Sequence, residues 1–397
     1  MSLTQPPPLR VSPRSPIDRW GLDPHVVHLN HGSYGGCLRS VLAHAAQLRA
    51  RIEAAPMKFF VLDWQREIDL ARAALAAFVG APADRMAFVP NTTTGVAIAL
   101  SSIAWSTGDE IVVTDHGYRA CRNQAERLAS ARGLRITVAT IAIPFDTDQV
   151  VTAIERALTS RTRAVLIDHV TSPSALILPV DRIVAMLATR GIVSIVDGAH
   201  APGQLALDVA AIGATYYTGN CHKWMCAPKG SGFLAIARDA PVQPVVTSHG
   251  ASPAYGPANR LHAELDWAGT HDPSAHLSVP AAIADVGAEG GGWPAIRARN
   301  HALVIEMRRR FVASLGRESS SLLAPDDALG AMASIPITLP GSAAALEQQL
   351  LATGWEVPIV DTPNGALVRL SAHLYNDAGE AEQLARELHA RGVKLSG

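Results

Sequence analysis

The sequence predicts an α/β protein: a mostly parallel β-sheet covered by helices on both faces, joined to a smaller α+β domain. Three observations predict it. Short runs of continuous Val, Ile and Leu recur between residues 86 and 237, separated by segments of helical length and periodicity. Strands that are apolar on both faces are buried on both faces, and their alternation with helices is the pattern of a parallel sheet. After residue 293 the pattern changes to one long helix followed by shorter strands and helices. At 397 residues the chain is also too long for one small core and suits two closely associated domains.

The elements follow in order along the chain. Residues 1–28 read as an extended arm with six prolines. Helical periodicity appears over Val41–Ala55 and Trp64–Val79. Met86–Val89 reads as a short strand, followed by the turn Asn91-Thr92-Thr93-Thr94-Gly95 and an apolar helix to Ala104. Glu110–Thr114, Leu134–Ile141, Arg163–Ile167, Ile192–Val196, Ala214–Thr218 and Gly232–Ala237 bring the strands of the large sheet to seven. Helices fill the intervals over Arg119–Ala131, which Gly133 closes, Asp148–Leu158 and Ile183–Thr189. Residues 241–292 are rich in Gly, Pro, Ser and His and read as a long irregular connection. Trp293–Ser314 is a long helix with Pro294 in its first turn, where proline is tolerated. Strands over Ala333–Leu339 and Leu367–Ser371 and helices over Ala344–Ala352 and Ala378–Arg391 make the smaller domain. The expected division is an arm at 1–28 packing with the small domain, a large domain at 29–285 and a small domain at 286–397.

Composition narrows the function classes. Apolar residues make up 48% and charged residues 17%, enough for a large core. The net charge is −1 with no long basic run, which argues against nucleic acid and against anionic membrane as partners. No run of about 18 apolar residues is present, so no membrane span is expected. The start of the chain lacks the apolar core of a secretion signal, and a cytoplasmic protein is the expectation. The four cysteines (Cys37, Cys121, Cys221, Cys226) form no Cys-x-x-Cys pair, so neither a metal site nor a disulfide framework is expected. Only four of the 34 basic residues are lysines: Lys58, Lys223, Lys229 and Lys394. Chemistry that needs a lysine therefore has few places to sit.

Sites on such sheets lie at the carboxyl ends of the strands. That rule puts Thr92–Thr94, Asp115–Tyr118, His169–Ser172 and Asp197–His200 along one rim. The Asn91–Gly95 turn can hold a phosphate at a helix N-terminus, although a plain helix cap reads the same way. Asp197 ends a buried strand, where an acid is costly unless paired. A protonated ring nitrogen is a fitting partner. Lys223 lies 26 residues further on, between His222 and Trp224 and just after an apolar strand. Partial desolvation there lets a lysine lose its proton and attack a carbonyl. Lys229 is its only rival, since Lys58 and Lys394 sit at an expected helix end and in the tail.

Taken together, these stretches resemble the class V aminotransferase family of fold-type I enzymes dependent on pyridoxal 5'-phosphate (PLP), and within it the isopenicillin N epimerase-like branch. The resemblance rests on Leu29-Asn30-His31-Gly32-Ser33-Tyr34-Gly35, the Asn91 turn, Asp115-His116-Gly117-Tyr118-Arg119-Ala120, Asp197-Gly198-Ala199-His200-Ala201-Pro202-Gly203, His222-Lys223-Trp224 with Pro228-Lys229-Gly230, Trp267-Ala268-Gly269-Thr270, and Arg369-Leu370-Ser371 with Tyr375-Asn376. It implies that Lys223 carries PLP as a Schiff base and that Asp197 holds the pyridinium nitrogen. It places His200 and Ser172 near the ring hydroxyl. Thr93 and His222, with Thr92 beside them, would hold the phosphate. Tyr118 would cover the ring face away from Lys223, with His116 as the alternative. Arg369 would bind the substrate α-carboxylate and Asn30 would line the substrate site. Thr270 would reach the phosphate of a neighbouring subunit, which implies a homodimer with shared sites.

The resemblance implies chemistry at Cα of an amino-acid-like small molecule, and the protein chooses the fate of the carbanion. Epimerisation or racemisation ranks first, a β-eliminating C–S lyase second and transamination third. Desulfuration needs a nucleophilic cysteine late in the chain, and none follows Cys226. A non-catalytic scaffold of the same fold would be expected to lose Lys223, Asp197 or Arg369, and all three residue types are in place. A plain nucleotide-binding protein would want a glycine-rich first turn, where Asn91–Gly95 has one glycine.

Overall fold

The computed structural model describes residues 15–316, 323–362 and 365–396. The first 14 residues of the expected arm lie outside them. Of the rest of the arm, the Ser15 N–H donates to Leu374 O and Trp20 is wholly buried.

Seven strands form the large sheet: β1 (Met86–Val89), β2 (Glu110–Thr114), β3 (Arg135–Ala139), β4 (Thr162–Asp168), β5 (Val193–Gly198), β6 (Tyr216–Asn220) and β7 (Gly232–Ile236). Their order is β1-β7-β6-β5-β4-β2-β3, with β7 antiparallel to both neighbours and every other pairing parallel. Side chains alternate between the two faces, as strand geometry requires. Ile111, Val113, Leu166, Ile195 and Tyr216 pack with Val96 and Ala125 on one face. Val112, Ile167, Val196 and Tyr217 pack with Ile154, Ile183 and Leu187 on the other.

The helix after β1 runs over Thr92–Ser102, and its Asn91 cap accepts the Thr94 N–H at 2.9 Å. It lies so close to the sheet that a Cβ on Gly95 would stand 2.1 Å from Thr218 Oγ1. The long helix Trp293–Ser314 leads to a second sheet of four strands: β8 (Met332–Thr338), β9 (Ile359–Thr362), β10 (Gly365–Ser371) and β11 (Lys394–Leu395), in the order β9-β10-β8-β11. The expected domain boundary between residues 285 and 286 falls inside the helix Val279–Glu289.

The expectation of an irregular connection over 241–292 is corrected. That segment holds helices at Arg260–Leu265, Ser274–Leu277 and Val279–Glu289. A tertiary ion pair supplies order that local sequence does not. Arg72, in the helix Trp64–Val79, grips Asp266 with both amino groups at 2.9 and 2.7 Å, and both side chains are buried. Removing one partner of a buried pair strands the other charge. Asp69, half exposed, still bonds Arg72 and limits the loss. Asp266→Ala is expected to lower unfolding stability by about 3 kcal/mol. Urea titration measures it, and an unchanged midpoint would show that the pair anchors nothing.

Candidate active site

The strand ends gather acids and a lysine at one rim. Asp197 sits at the end of β5, buried, where its Oδ1 accepts the Ala199 N–H at 3.0 Å and its Oδ2 the Cys121 S–H at 3.1 Å. Asp168 ends β4 and pairs in register with Asp197. Burial and the neighbouring Asp197 charge push the Asp168 carboxyl well above the ordinary range, while backbone N–H groups of Tyr118 and Ser172 hold it. Burial also raises Asp197, and the Lys223 charge opposes that rise.

Lys223 follows β6 in a tight loop. A Cβ on Gly35, at φ +69°, would stand 2.0 Å from His222 O, so the segment after Asn30 can pack on this loop only with glycine there. Lys223 Nζ lies 3.1 Å from His200 Nε2 and forms no ion pair among the described residues. Burial and the Arg369 charge push the Lys223 ammonium down to about 8. An amine so placed is available in its neutral form near neutral pH. Lys229 is exposed and bonds Gly35 O at 3.0 Å.

Arg369 reaches the rim from β10. One amino group donates to Ser172 O at 2.6 Å and Ser172 Oγ at 3.1 Å. The other donates to Ser33 Oγ at 2.8 Å and Asn30 Oδ1 at 3.3 Å. Burial pushes the guanidinium down to about 10, still charged at neutral pH, and its Nε is buried without a partner among the described residues. No carboxylate hydrogen-bonds or pairs with it among the described residues, so its charge is not neutralised, and an anion would engage the fork by displacing these neutral acceptors.

Thr92 begins its helix with its N–H bonded to Asn220 Oδ1 at 2.9 Å, which ties the turn to the end of β6. Its buried Oγ1 has no partner among the described residues. Thr93 is partly buried, and its carbonyl accepts from Gln124. His222 Nδ1 lies 2.8 Å from Ser231 O, and burial pushes its imidazole down to about 4.

Tyr118 is 42% exposed, and burial together with Cys121 and Asp197 raises its hydroxyl, with Arg369 acting the other way. His116 is turned to Ser174 Oγ at 2.6 Å. Thr270 is exposed and lines a surface depression with His249, Tyr255 and Trp267. The structure thus brings Lys223, Asp197, His200, Arg369, Ser172, Asn30 and Tyr118 to one region, and no described contact joins Thr270 or His116 to it.

Sequence reasoning missed Asp168, Cys121 and Ser33. Asp168 carries the same signal as Asp197, an acid closing a buried strand. All four cysteines are buried. A buried group of His31, Cys226 and His373 comes together below the Lys223 loop. Its two imidazoles stack at 3.9 Å and 13°, and both ring nitrogens of His31 are already engaged, by Lys223 O and the Tyr375 hydroxyl.

These features fit PLP. An orphan hydroxyl at a helix N-terminus suits its phosphate, a buried acid its ring nitrogen, and an amine of lowered proton affinity its aldehyde. Fold and site define a PLP-dependent enzyme of fold type I. The chain belongs to the class V aminotransferase family, whose model, "Aminotransferase class-V", matches residues 57–384. It is 36% identical over 390 residues to isopenicillin N epimerase of Amycolatopsis lactamdurans, covering 92% of this chain and 95% of the relative. It is 33% identical over 337 residues to putative L-cysteine desulfhydrase 2 of Oryza sativa subsp. japonica, covering 81% of this chain and 69% of the relative. Among solved structures, the cystine C–S lyase C-DES in complex with cysteine persulfide aligns with a TM-score of 0.77 at 20% identity, covering 91% of this chain and 97% of that one. Among the described residues no helix is long and apolar enough to cross a membrane.

Proposed function

We propose that the protein inverts the configuration at Cα of an α-amino acid, as an epimerase or racemase. The observation that carries this reading is that the rim offers two proton-bearing side chains of different kind: Lys223, set against His200, and Tyr118, which caps the helix whose Cys121 bonds Asp197. Inversion needs a group to take the Cα proton and a second to return one on the other face. The 36% identity to an epimerase over nearly the whole chain supports the same choice.

PLP, when bound, supplies the electron sink that makes the Cα proton labile. Lys223 would be the residue that carries it, and its amine would be the base at Cα. Asp197 would keep the ring nitrogen protonated. Thr92, Thr93 and His222 would hold the phosphate, and His200 would serve the ring hydroxyl. Arg369 clamps the substrate carboxylate, braced by Ser33, Ser172 and Asn30. Tyr118 would be the group that returns a proton on the other face of Cα. His116 is the weaker candidate because Ser174 engages it. A homodimer with shared sites, in which Thr270 reaches a neighbour's phosphate, belongs to the same proposal. Exposed Met57, Val61 and Leu62 offer apolar surface for such a partner.

A second reading, β-elimination from a cysteine derivative, is favoured by the 33% identity to a cysteine desulfhydrase. One experiment separates them. In deuterated water, a panel of L- and D-amino acids and S-substituted cysteines is scored by chiral chromatography and by pyruvate and ammonia assays. Inversion gives both stereoisomers with deuterium at Cα and no keto acid. Stoichiometric pyruvate and ammonia without any D-isomer would replace the first reading with the second.

A further inference from the structure

The candidate site leaves one large residue without a role. Trp224 is 1% exposed and follows the lysine directly. Its placement is enforced from two sides. A Cβ on Gly203, at φ +86°, would stand 2.4 Å from Trp224 O, and the indole meets the His31 ring at 4.9 Å. Held there, its Nε1–H donates to His200 Nδ1 at 3.4 Å.

An indole N–H can only donate, so His200 Nδ1 must accept. A neutral imidazole that accepts at one nitrogen carries its proton on the other. For His200 that other nitrogen is Nε2, which lies 3.1 Å from Lys223 Nζ. A proton on Nε2 can bond the lone pair of a neutral amine. It would stand against an ammonium, donor facing donor.

We infer that Trp224 is a positioning residue that fixes the His200 proton on Nε2, so that His200 donates to Lys223 and favours the neutral amine. The loop is bracketed at its other end by a second imidazole of fixed tautomer. His31 Nε2 lies 3.1 Å from Lys223 O, which can only accept, so His31 donates there and its Nδ1 accepts a hydrogen bond from the Tyr375 hydroxyl, 2.8 Å away. Charged surroundings agree with a neutral His200. Burial, with the Lys223, Arg369 and His222 charges, pushes it well below its ordinary range. The groups that bear on Lys223 are Arg369, which lowers its proton affinity, and Asp197, Asp168 and Cys121, which raise it. Trp224 carries no charge, so its effect on Lys223 runs through the His200 tautomer.

The inference rests on the reading that Lys223 and His200 belong to the cofactor site, but its test uses the cofactor-free protein. Histidine is labelled with nitrogen-15 and the lysine ε-carbon with carbon-13. Four lysines in the chain give four lysine signals, and Lys223→Arg identifies the one that matters. His200→Gln identifies the imidazole. In the wild-type protein His200 should show its proton on Nε2 and a bare, accepting Nδ1. In Trp224→Phe, which keeps a ring but loses the donor, the proton should move toward Nδ1. The Lys223 titration midpoint should then rise by about one pH unit, the size of one exchanged hydrogen bond. A wild-type His200 protonated on Nδ1 would overturn the inference without any Trp224 variant. So would a folded Trp224→Phe protein whose Lys223 midpoint stays where it was. If instead Lys223→Ala still bound PLP covalently, the proposed function would fail while the tautomer result stood.

Discussion

A Lys223→Ala protein is expected to remain folded, to lose the visible absorbance of covalently held PLP, and to lose activity by about a thousandfold or more. The expected size follows from the double role assigned to one amine, which carries the cofactor and takes the Cα proton. Folding should survive because the lysine head contributes little to packing. Its amine touches His200 and forms no ion pair among the described residues. The loop itself is held by other contacts, chiefly His31 on the Lys223 carbonyl and Trp224 against His200. Absorbance spectroscopy, circular dichroism and turnover measured together test this. A variant that keeps the visible band and most of its activity would move the assignment to another lysine.

Asp197→Asn is expected to bind PLP with nearly the native shape of the site and to lose about a hundredfold in kcat, near 2.7 kcal/mol of barrier. Asparagine is isosteric. Its amide oxygen can still accept from the Ala199 N–H or the Cys121 S–H, so the turn after β5 keeps its geometry. What it cannot do is hold a proton on the ring nitrogen, because the negative charge is gone. Steady-state kinetics beside a cofactor-binding titration separates the two effects. A rate loss below about tenfold, or ~1.4 kcal/mol, would contradict the pairing.

The large sheet was legible because its strands announce themselves. Runs such as Ile195-Val196 and Val165-Leu166-Ile167 are apolar on both faces, and both faces are covered. The helix Trp293–Ser314 has the bounds expected from the sequence, with Pro294 in its first turn. The segment 241–292 was not legible, because Asp266 is held by Arg72, 194 residues earlier in the chain. No local pattern encodes that pair.

The candidate site divides along the same line. Asp197 and Lys223 could be singled out from the ends of buried strands and from the scarcity of lysine. Cys121 could not, since its contact with Asp197 appears only once the helix Arg119–Arg132 is laid against the sheet. Ser172 was expected beside the ring hydroxyl, and its carbonyl and hydroxyl both receive Arg369. That contact joins β4's end to β10 across 197 residues. The tautomer of His200 depends on the Trp224 indole, and sequence adjacency of Trp224 to Lys223 gives no hint of it.

The central claim is that PLP is carried by Lys223, and reduction with borohydride tests it most directly. The imine is fixed as a stable secondary amine, the protein is digested, and the peptides are mapped by mass spectrometry. With only four lysines in the chain, the result is unambiguous. The account predicts the pyridoxyl mass on the peptide that contains Lys223, with Lys229 unmodified. The same mass on Lys229, the exposed amine now bonded to Gly35 O, would contradict it.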